Sequence, residues 1–310
     1  MGLSISQDFR RRADTPNREI HALSHPCPQT DGFRPVMIDR LLMAANASED
    51  ASAARMAAMA HGLGYEIPEC EAAAYLTQNE SAHRDAENAH AAEAGRLLAV
   101  AAPLLDVNPA SSDAEIALCY FRRVCQAITV AQRLQARFLI FKSPYSPLYR
   151  ANGVFPKWIQ ACADFWKQII DQHLGDAPLT VLMANVMEES PELLLELATR
   201  VDSLRFRLCI DAGAASVFSQ APALDWLDAL QQHAAYVRIG NTDGKTLEAR
   251  PLDQGVVDIP SFVNHLTLLP QRFNASIVVS GARDPLVDYH VVLPYFRLQK
   301  SLVQTKSMLL

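Results

Sequence analysis

The feature that most constrains the fold is a repeated alternation of a short apolar run with a longer amphipathic segment. Helical patterns separate most of the runs, which is typical of parallel strands joined by crossover helices. Eight runs in one chain predict a closed (β/α)8 TIM barrel. A doubly wound sheet is the alternative, but no G-x-G-x-x-G sequence follows the first run. The predicted strands are Leu3–Ser6, Tyr65–Cys70, Leu97–Ala101, Phe138–Lys142, Thr180–Met183, Phe206–Ile210, Tyr236–Ile239 and Ser276–Val279.

The predicted barrel occupies residues 1–300 as a single domain, because 310 residues that are 50% hydrophobic suffice for one sizeable core. Residues 8–35 are rich in Pro, Arg and Asp and carry no periodic pattern. This segment is longer than a typical loop between strand and helix, so we interpret it as an irregular insertion or lid after the first strand. Residues 301–310 form a C-terminal tail without an assigned role.

Charge and cysteine content exclude several classes of partner. The net charge of −6 offers no basic surface for nucleic acid. No window approaches the roughly 18 apolar residues of a membrane span, so no membrane association is expected. The six cysteines contain no C-x-x-C pair and lie partly in apolar segments, which indicates reduced thiols and a cytoplasmic protein. A homo-oligomer or a protein partner stays open.

Four segments that follow predicted strands carry a family resemblance over roughly residues 50 to 300. They are Ala101–Pro109, Asn185–Glu192, Asp211–Gly213 and the loop from Asn241 to Asp258. In order and spacing the chain resembles the xylose isomerase-like TIM barrels, which include sugar-phosphate isomerases and epimerases and the related endonuclease IV group. The resemblance implies a TIM barrel with its site at the carboxyl ends of the strands. It also implies one to three divalent ions held there by His, Asp and Glu side chains.

This chain departs from that ligand pattern at nearly every position. Glu69 and Asp211 are the acidic residues that still match the family pattern. An ammonium or guanidinium only donates hydrogen bonds and cannot ligate a metal. We therefore expect no divalent metal and no cofactor. The positions where the family has a ligand and this chain has another residue are Ala101, Lys142, Ala184, Ala214, Arg238, Asn241, Leu247, Ala249 and Ser280.

The two cations predict a rebuilt site at the barrel mouth. Lys142 and Arg238 are expected to form an ion-pair cluster with Asp211 and Glu69, because buried charges need partners. Such a mouth favours an anionic or polyhydroxylated small molecule. The expected catalytic groups, should any turnover exist, are Lys142, Asp211 and Glu69. The expected ligand-binding residues are Lys142, Asn185, Asp211, Arg238, Asn241 and Tyr145.

Three functions are compatible with these residues. The first is a degenerate sugar-phosphate isomerase/epimerase-like barrel, a pseudoenzyme that has lost its metal and binds a small molecule or a partner protein. The second is a metal-independent isomerase or lyase in which Lys142 acts as a Schiff-base amine or an acid/base, with Glu69 or Asp211 as partner. The third is a metal-dependent isomerase or epimerase whose ligands lie outside the expected register.

Overall fold

A computed structural model of the chain describes residues 40–45, 51–68, 71, 76, 98–102, 108–281 and 283–307; within these, the side chains are described from residue 41 to residue 296. All of these residues belong to one compact unit, Pro35–Leu310. In the described part of the chain, no helix is long and apolar enough to cross a membrane.

Eight parallel strands close into a barrel in the order of the sequence, which confirms the predicted fold class. The strands are β1 Arg40–Ala45, β2 Gly64–Ile67, β3 Leu98–Ala101, β4 Phe138–Lys142, β5 Thr180–Ala184, β6 Phe206–Asp211, β7 Ala234–Ile239 and β8 Asn274–Val279. Each strand pairs with the next one along the chain, and β8 pairs with β1 from Arg40 opposite Asn274 to Ala45 opposite Val279.

The position of the first strand corrects the sequence prediction. The strand that closes the barrel is Arg40–Ala45, not Leu3–Ser6, so residues 8–35 precede the first barrel strand instead of following it. The run from Leu41 to Ala45 consists of Leu, Met and Ala, which favour helices in isolation. Pairing with β2 and β8 holds it extended, because strand formation depends more on context than on intrinsic preference. Residues 3–6 themselves lie outside the described residues.

The helices between the strands begin and end at residues that the sequence makes recognisable. The described helices are α1 Ala51–His61, α2 Ala114–Arg133, α3 Leu148–Ala151, α4 Phe155–Gln172, α5 Glu192–Val201, α6 Ala212–Phe218, α7 Ala223–Leu230, α8 Ile259–Leu268 and α9 Pro285–Ser307. Asp113 caps α2 by accepting a hydrogen bond from the Glu115 N–H, and Asp202 ends α5 in the left-handed conformation. The short helices α3 and α6 have no counterpart among the helical patterns of the sequence. The sequence also carries a helical pattern over residues 81–96, which lie outside the described residues.

The apolar side chains form two layers, as a closed barrel requires. The larger layer fills the space between strands and helices and includes the buried Trp158, Trp166 and Trp226. The smaller layer lies inside the barrel. Its members are Leu42, Ala99, Phe138, Ile140, Leu182, Ala184, Cys209 and Tyr236. Since successive residues of a strand point to opposite faces, the residues that alternate with the outer layer face the lumen.

Candidate functional site

Charged side chains from four strands meet at the carboxyl end of the barrel, where (β/α)8 proteins place their sites. Lys142 is the last residue of β4 and Asp211 the last of β6, while Glu66 and Arg238 lie one residue before the ends of β2 and β7. Glu71 follows β2. We call these five residues the mouth cluster.

Arg238 is the centre of the mouth cluster. Its Nη1 lies 2.9 Å from Oδ2 of Asp211 on the neighbouring strand, and its Nε lies 3.2 Å from Oε1 of Glu66 on β2. The residue is only 5% exposed. Burial by itself lowers the pKa of Arg238, but the negative charges of Glu66, Asp211 and Glu71 outweigh it and hold the pKa above the usual value. The guanidinium is therefore a fixed positive charge inside the mouth.

Strand alternation explains why Glu66 faces the lumen. Its neighbours Tyr65 and Ile67 belong to the outer apolar layer, so the side chain between them points inward. There the hydroxyl of Tyr236 donates a 3.1 Å hydrogen bond to Oε2 of Glu66. Burial, and after it the charge of Glu66, raises the pKa of Tyr236 well above its usual value, so the phenol keeps its proton as a donor.

Lys142 is the most solvent-exposed member of the mouth cluster. Its Nζ lies 2.9 Å from Oε1 of Glu71, and its side chain is 24% exposed. The side chain of Asp211 is 15% exposed, and that of Arg238 only 6%. A molecule that enters from solvent therefore meets Lys142 and Asp211 first. The cluster as a whole is slightly acidic, because three carboxylates face two cations.

Asn185 and Asn241 use their side-chain amides to organise the backbone. Asn185 donates to the Asp211 carbonyl oxygen at 3.0 Å and accepts from the Asp211 N–H at 2.7 Å, which ties the ends of β5 and β6 together. Asn241 donates to the carbonyl oxygens of Leu252 and Val257 and accepts from the N–H groups of Thr242 and Val257. These four bonds hold the loop after β7 in place.

Tyr145 belongs to the loop that follows β4 and lies in a buried aromatic patch. It is fully buried, and its hydroxyl donates to Oε2 of Glu189 at 3.0 Å. Burial and then this hydrogen bond raise the pKa of Tyr145 to about 12. The ring contacts Tyr149, Phe155 and Trp158 edge to face. Its contacts thus serve the packing of the loops after β4 and β5, and the predicted contact with a ligand stays a prediction.

Glu188 is a buried carboxyl that the sequence patterns did not single out. It is 1% exposed, and its Oε2 accepts a 2.6 Å hydrogen bond from the Val186 N–H. Burial raises the pKa of Glu188 to about 6, against the lowering effect of bonds from Ser143 and Val186. Burial thus brings the pKa of this carboxyl closer to neutral pH than that of an ordinary glutamate.

The structure places Asp211 in contact with two other predicted site residues, Arg238 and Asn185. Lys142 lies at the same edge but pairs with Glu71. Glu69 lies outside the described residues. The carboxylates that face the two cations from the side of β2 are Glu66 and Glu71, which the sequence patterns did not identify. One signal was available for Glu66, since a single charged residue inside the apolar run Tyr65–Ile67 is expected to have a buried partner. Glu71 gave no comparable signal.

The fold that carries this mouth cluster is shared with known proteins. The sequence-family model of the xylose isomerase-like TIM barrels matches residues 57–271, which is more than half of the chain. The chain belongs to the xylose isomerase-like TIM barrel family. This confirms the resemblance inferred from the sequence. No curated protein matches the chain by sequence.

Solved structures share this fold at low sequence identity. A D-tagatose 3-epimerase-like protein is 18% identical, with a TM-score of 0.70 over 85% of this chain and 99% of its own. The TTHB071 protein from Thermus thermophilus, in a crystal soaked with ZnCl2, is 19% identical, with a TM-score of 0.64 over 83% of this chain and 97% of its own. An L-ribulose 3-epimerase is 14% identical, with a TM-score of 0.62 over 87% and 97%.

The family implies a divalent metal, and the described residues of this mouth do not fit one. Among them, no group of three or more His, Cys, Asp or Glu side chains is placed to hold a metal ion. The acidic pair Glu66 and Asp211 contacts the guanidinium of Arg238 instead. Ala184, the last residue of β5, contributes only a methyl group to the barrel interior.

Proposed function

We propose that this protein is a barrel of the sugar isomerase/epimerase type that binds a polyhydroxylated small molecule at its mouth without a divalent metal. The observation that carries the proposal is the position of the Arg238 guanidinium between Glu66 and Asp211. A permanent cation at this point repels a divalent ion and occupies the carboxylates that would ligate it. Metal-assisted polarisation of a sugar carbonyl is then not expected of this chain, which is consistent with a pseudoenzyme.

The charge balance favours a neutral, hydroxyl-rich ligand over an anionic one. Each cation of the mouth cluster already faces a carboxylate, so neither offers a free positive charge to a phosphate or carboxylate. Lys142 presents donors and Asp211 presents acceptors at the exposed edge of the mouth. A sugar hydroxyl both donates and accepts, so it satisfies both groups at once. The L-ribulose 3-epimerase and the D-tagatose 3-epimerase-like protein with the same fold support this class of ligand.

The proposal is tested by measuring binding in the presence of a chelator. The chelator-treated protein is titrated calorimetrically with a panel of ketoses, aldoses and polyols and with the corresponding sugar phosphates. We expect at least one neutral sugar to bind and Lys142→Met to weaken it at least tenfold, equivalent to about 1.4 kcal/mol. Lys157→Met, an exposed lysine on α4, is the matched control and leaves binding unchanged. Binding or turnover that requires an added divalent ion would refute the proposal.

The metal-independent enzyme is a second candidate, and the exposure of Lys142 favours it. This amine ends a barrel strand and is open to solvent, as a Schiff-base lysine must be. Its ion pair with Glu71 has to break before the amine can attack a carbonyl. Borohydride trapping with a keto sugar, followed by mass spectrometry, separates the two candidates. A covalent adduct at Lys142 selects the enzyme, and binding without an adduct selects the binding protein. The cytoplasmic location and a protein partner or homo-oligomer remain part of this proposal.

A further inference from the structure

We propose that Glu66 and Asp211 form a cation-binding pair whose cation is supplied by the chain itself, as Arg238. On this view the positive charge of the Arg238 guanidinium takes the place of a bound divalent ion at the barrel mouth. It follows that a variant with a small neutral residue at position 238 binds a divalent cation at the same place. This inference concerns the construction of the mouth and does not depend on which ligand binds there.

The first support is that the guanidinium joins carboxylates from separate parts of the barrel. Asp211 belongs to β6, which is adjacent to the strand of Arg238. Glu66 belongs to β2, three strands further around the closed barrel in the other direction. The two carboxylates therefore converge on one point from different sides of the lumen. Carboxylate oxygens that converge from several elements are also what a protein uses to hold a hard cation.

The second support is that each carboxylate is held through one oxygen and presents the other to Arg238. In Glu66, Oε2 accepts the hydrogen bond of Tyr236, and Oε1 faces the guanidinium. In Asp211, Oδ1 accepts from the Ala214 N–H at the start of α6, and Oδ2 faces the guanidinium. Outer partners that orient the ligating carboxylates are a regular feature of metal sites. Two oxygens fixed in this way suit a hard divalent ion that completes its shell with water.

The third support is the imperfect fit of the arginine itself. Nε lies 3.2 Å from Oε1 of Glu66 but forms no aligned hydrogen bond there. The attraction between these two groups is thus mainly electrostatic. It lacks the two parallel hydrogen bonds of a bidentate pair between arginine and carboxylate. A compact cation at the same point satisfies the same charges. Without any cation, the buried Glu66 and the partly buried Asp211 would lack their positive partner, which is costly.

The test is a manganese titration of Arg238→Ala after chelator treatment, followed by calorimetry and by electron paramagnetic resonance of free Mn²⁺. We expect one Mn²⁺ per chain, bound at least tenfold more tightly than by the unmodified protein, with a higher melting temperature when Mn²⁺ is added. Arg238→Lys retains a cation and is expected not to bind. Arg238→Ala combined with Glu66→Gln loses one oriented carboxylate and is expected to bind at least tenfold more weakly than Arg238→Ala alone.

Two results overturn the inference. One is a folded Arg238→Ala protein that binds Mn²⁺ no better than the unmodified chain. The other is equal binding with and without Glu66→Gln, since the ion would then lie elsewhere. If Arg238→Ala does not fold, Arg238→His takes its place, because its ring retains bulk and can ligate. Stoichiometric Mn²⁺ binding by that folded variant supports the inference, and its absence overturns it. Sugar binding by the unmodified protein is measured without metal, so its result tests the proposed function independently of the Mn²⁺ titration.

Discussion

Arg238 on β7 and Glu66 on β2 form an ion pair inside the barrel, with Nε 3.2 Å from Oε1 and both side chains almost fully buried. The pair connects strands that are not neighbours in the sheet, so it braces the lumen near the mouth. Asp211 forms a second ion pair with Arg238, and the hydroxyl of Tyr236 orients Glu66 through a hydrogen bond. The pair is therefore part of the core of the barrel as well as of the candidate site.

Glu66→Gln should destabilise the protein by roughly 3 kcal/mol, because it leaves part of the charge of Arg238 buried without its partner. Glu196→Gln is the matched control, since Glu196 pairs with Arg200 at a half-exposed position on α5 and its loss costs less than about 0.5 kcal/mol. The free energy of unfolding is measured in urea by circular dichroism. Equal losses for the two variants would show that the cross-barrel pair contributes no more than a surface pair.

Asn241→Ala should destabilise the loop after β7 by roughly 2–4 kcal/mol, because it removes the partners of buried N–H and carbonyl groups. Asn241 is 1% exposed and makes four hydrogen bonds to the loop backbone. Asn264→Ala, at an exposed position on α8, is the control and should change stability by less than about 0.5 kcal/mol. Urea unfolding measures both. A loss of sugar affinity without a loss of stability would instead support a direct ligand contact for Asn241.

Gly255→Ala should cost several times more stability than Gly175→Ala. A Cβ at position 255 would lie 2.1 Å from Oδ1 of Asn241, so the amide that holds the loop would have to move. At position 175 a Cβ meets no atom within 4 Å, but φ is +55°, a conformation that costs an alanine about 1 kcal/mol. Thermal and urea unfolding compare the pair. Similar losses for both variants would mean that the loop relaxes easily around Asn241.

Glu188→Gln should change the pH dependence of stability between about pH 4.5 and 6. The raised pKa means that the folded protein binds this proton more tightly than the unfolded chain does. Its stabilising contribution is therefore complete below the ordinary glutamate pKa and is lost as the pH rises through about 6. We expect the variant to gain roughly 2 kcal/mol over the unmodified protein between pH 4.5 and 7.5.

Urea unfolding at several pH values measures that difference, and Glu196→Gln controls for the removal of any carboxylate. A stability difference between Glu188→Gln and the unmodified protein that stays constant with pH would contradict the raised pKa. A difference that grows with pH only for Glu188→Gln would locate the effect at the buried carboxyl.

The sequence by itself determined the barrel. Each parallel strand is buried on both faces and is therefore recognisable as a short apolar run. Phe138–Lys142 was predicted with the bounds that the structure has, and most other described strands to within a few residues. It also determined that Lys142, Asp211 and Arg238 lie at or next to the carboxyl ends of their strands, which share one edge because the strands are parallel.

Only the tertiary structure decided which residues face one another. Closure of the barrel placed Glu66 opposite Arg238, although most of the chain lies between them, and it recruited Arg40–Ala45 as the first strand despite its helix-forming composition. It also turned Asn241 toward the backbone of its own loop. These outcomes depend on register, strand number and loop path, which no local pattern encodes. Contacts between distant segments are fixed when the last strand pairs with the first.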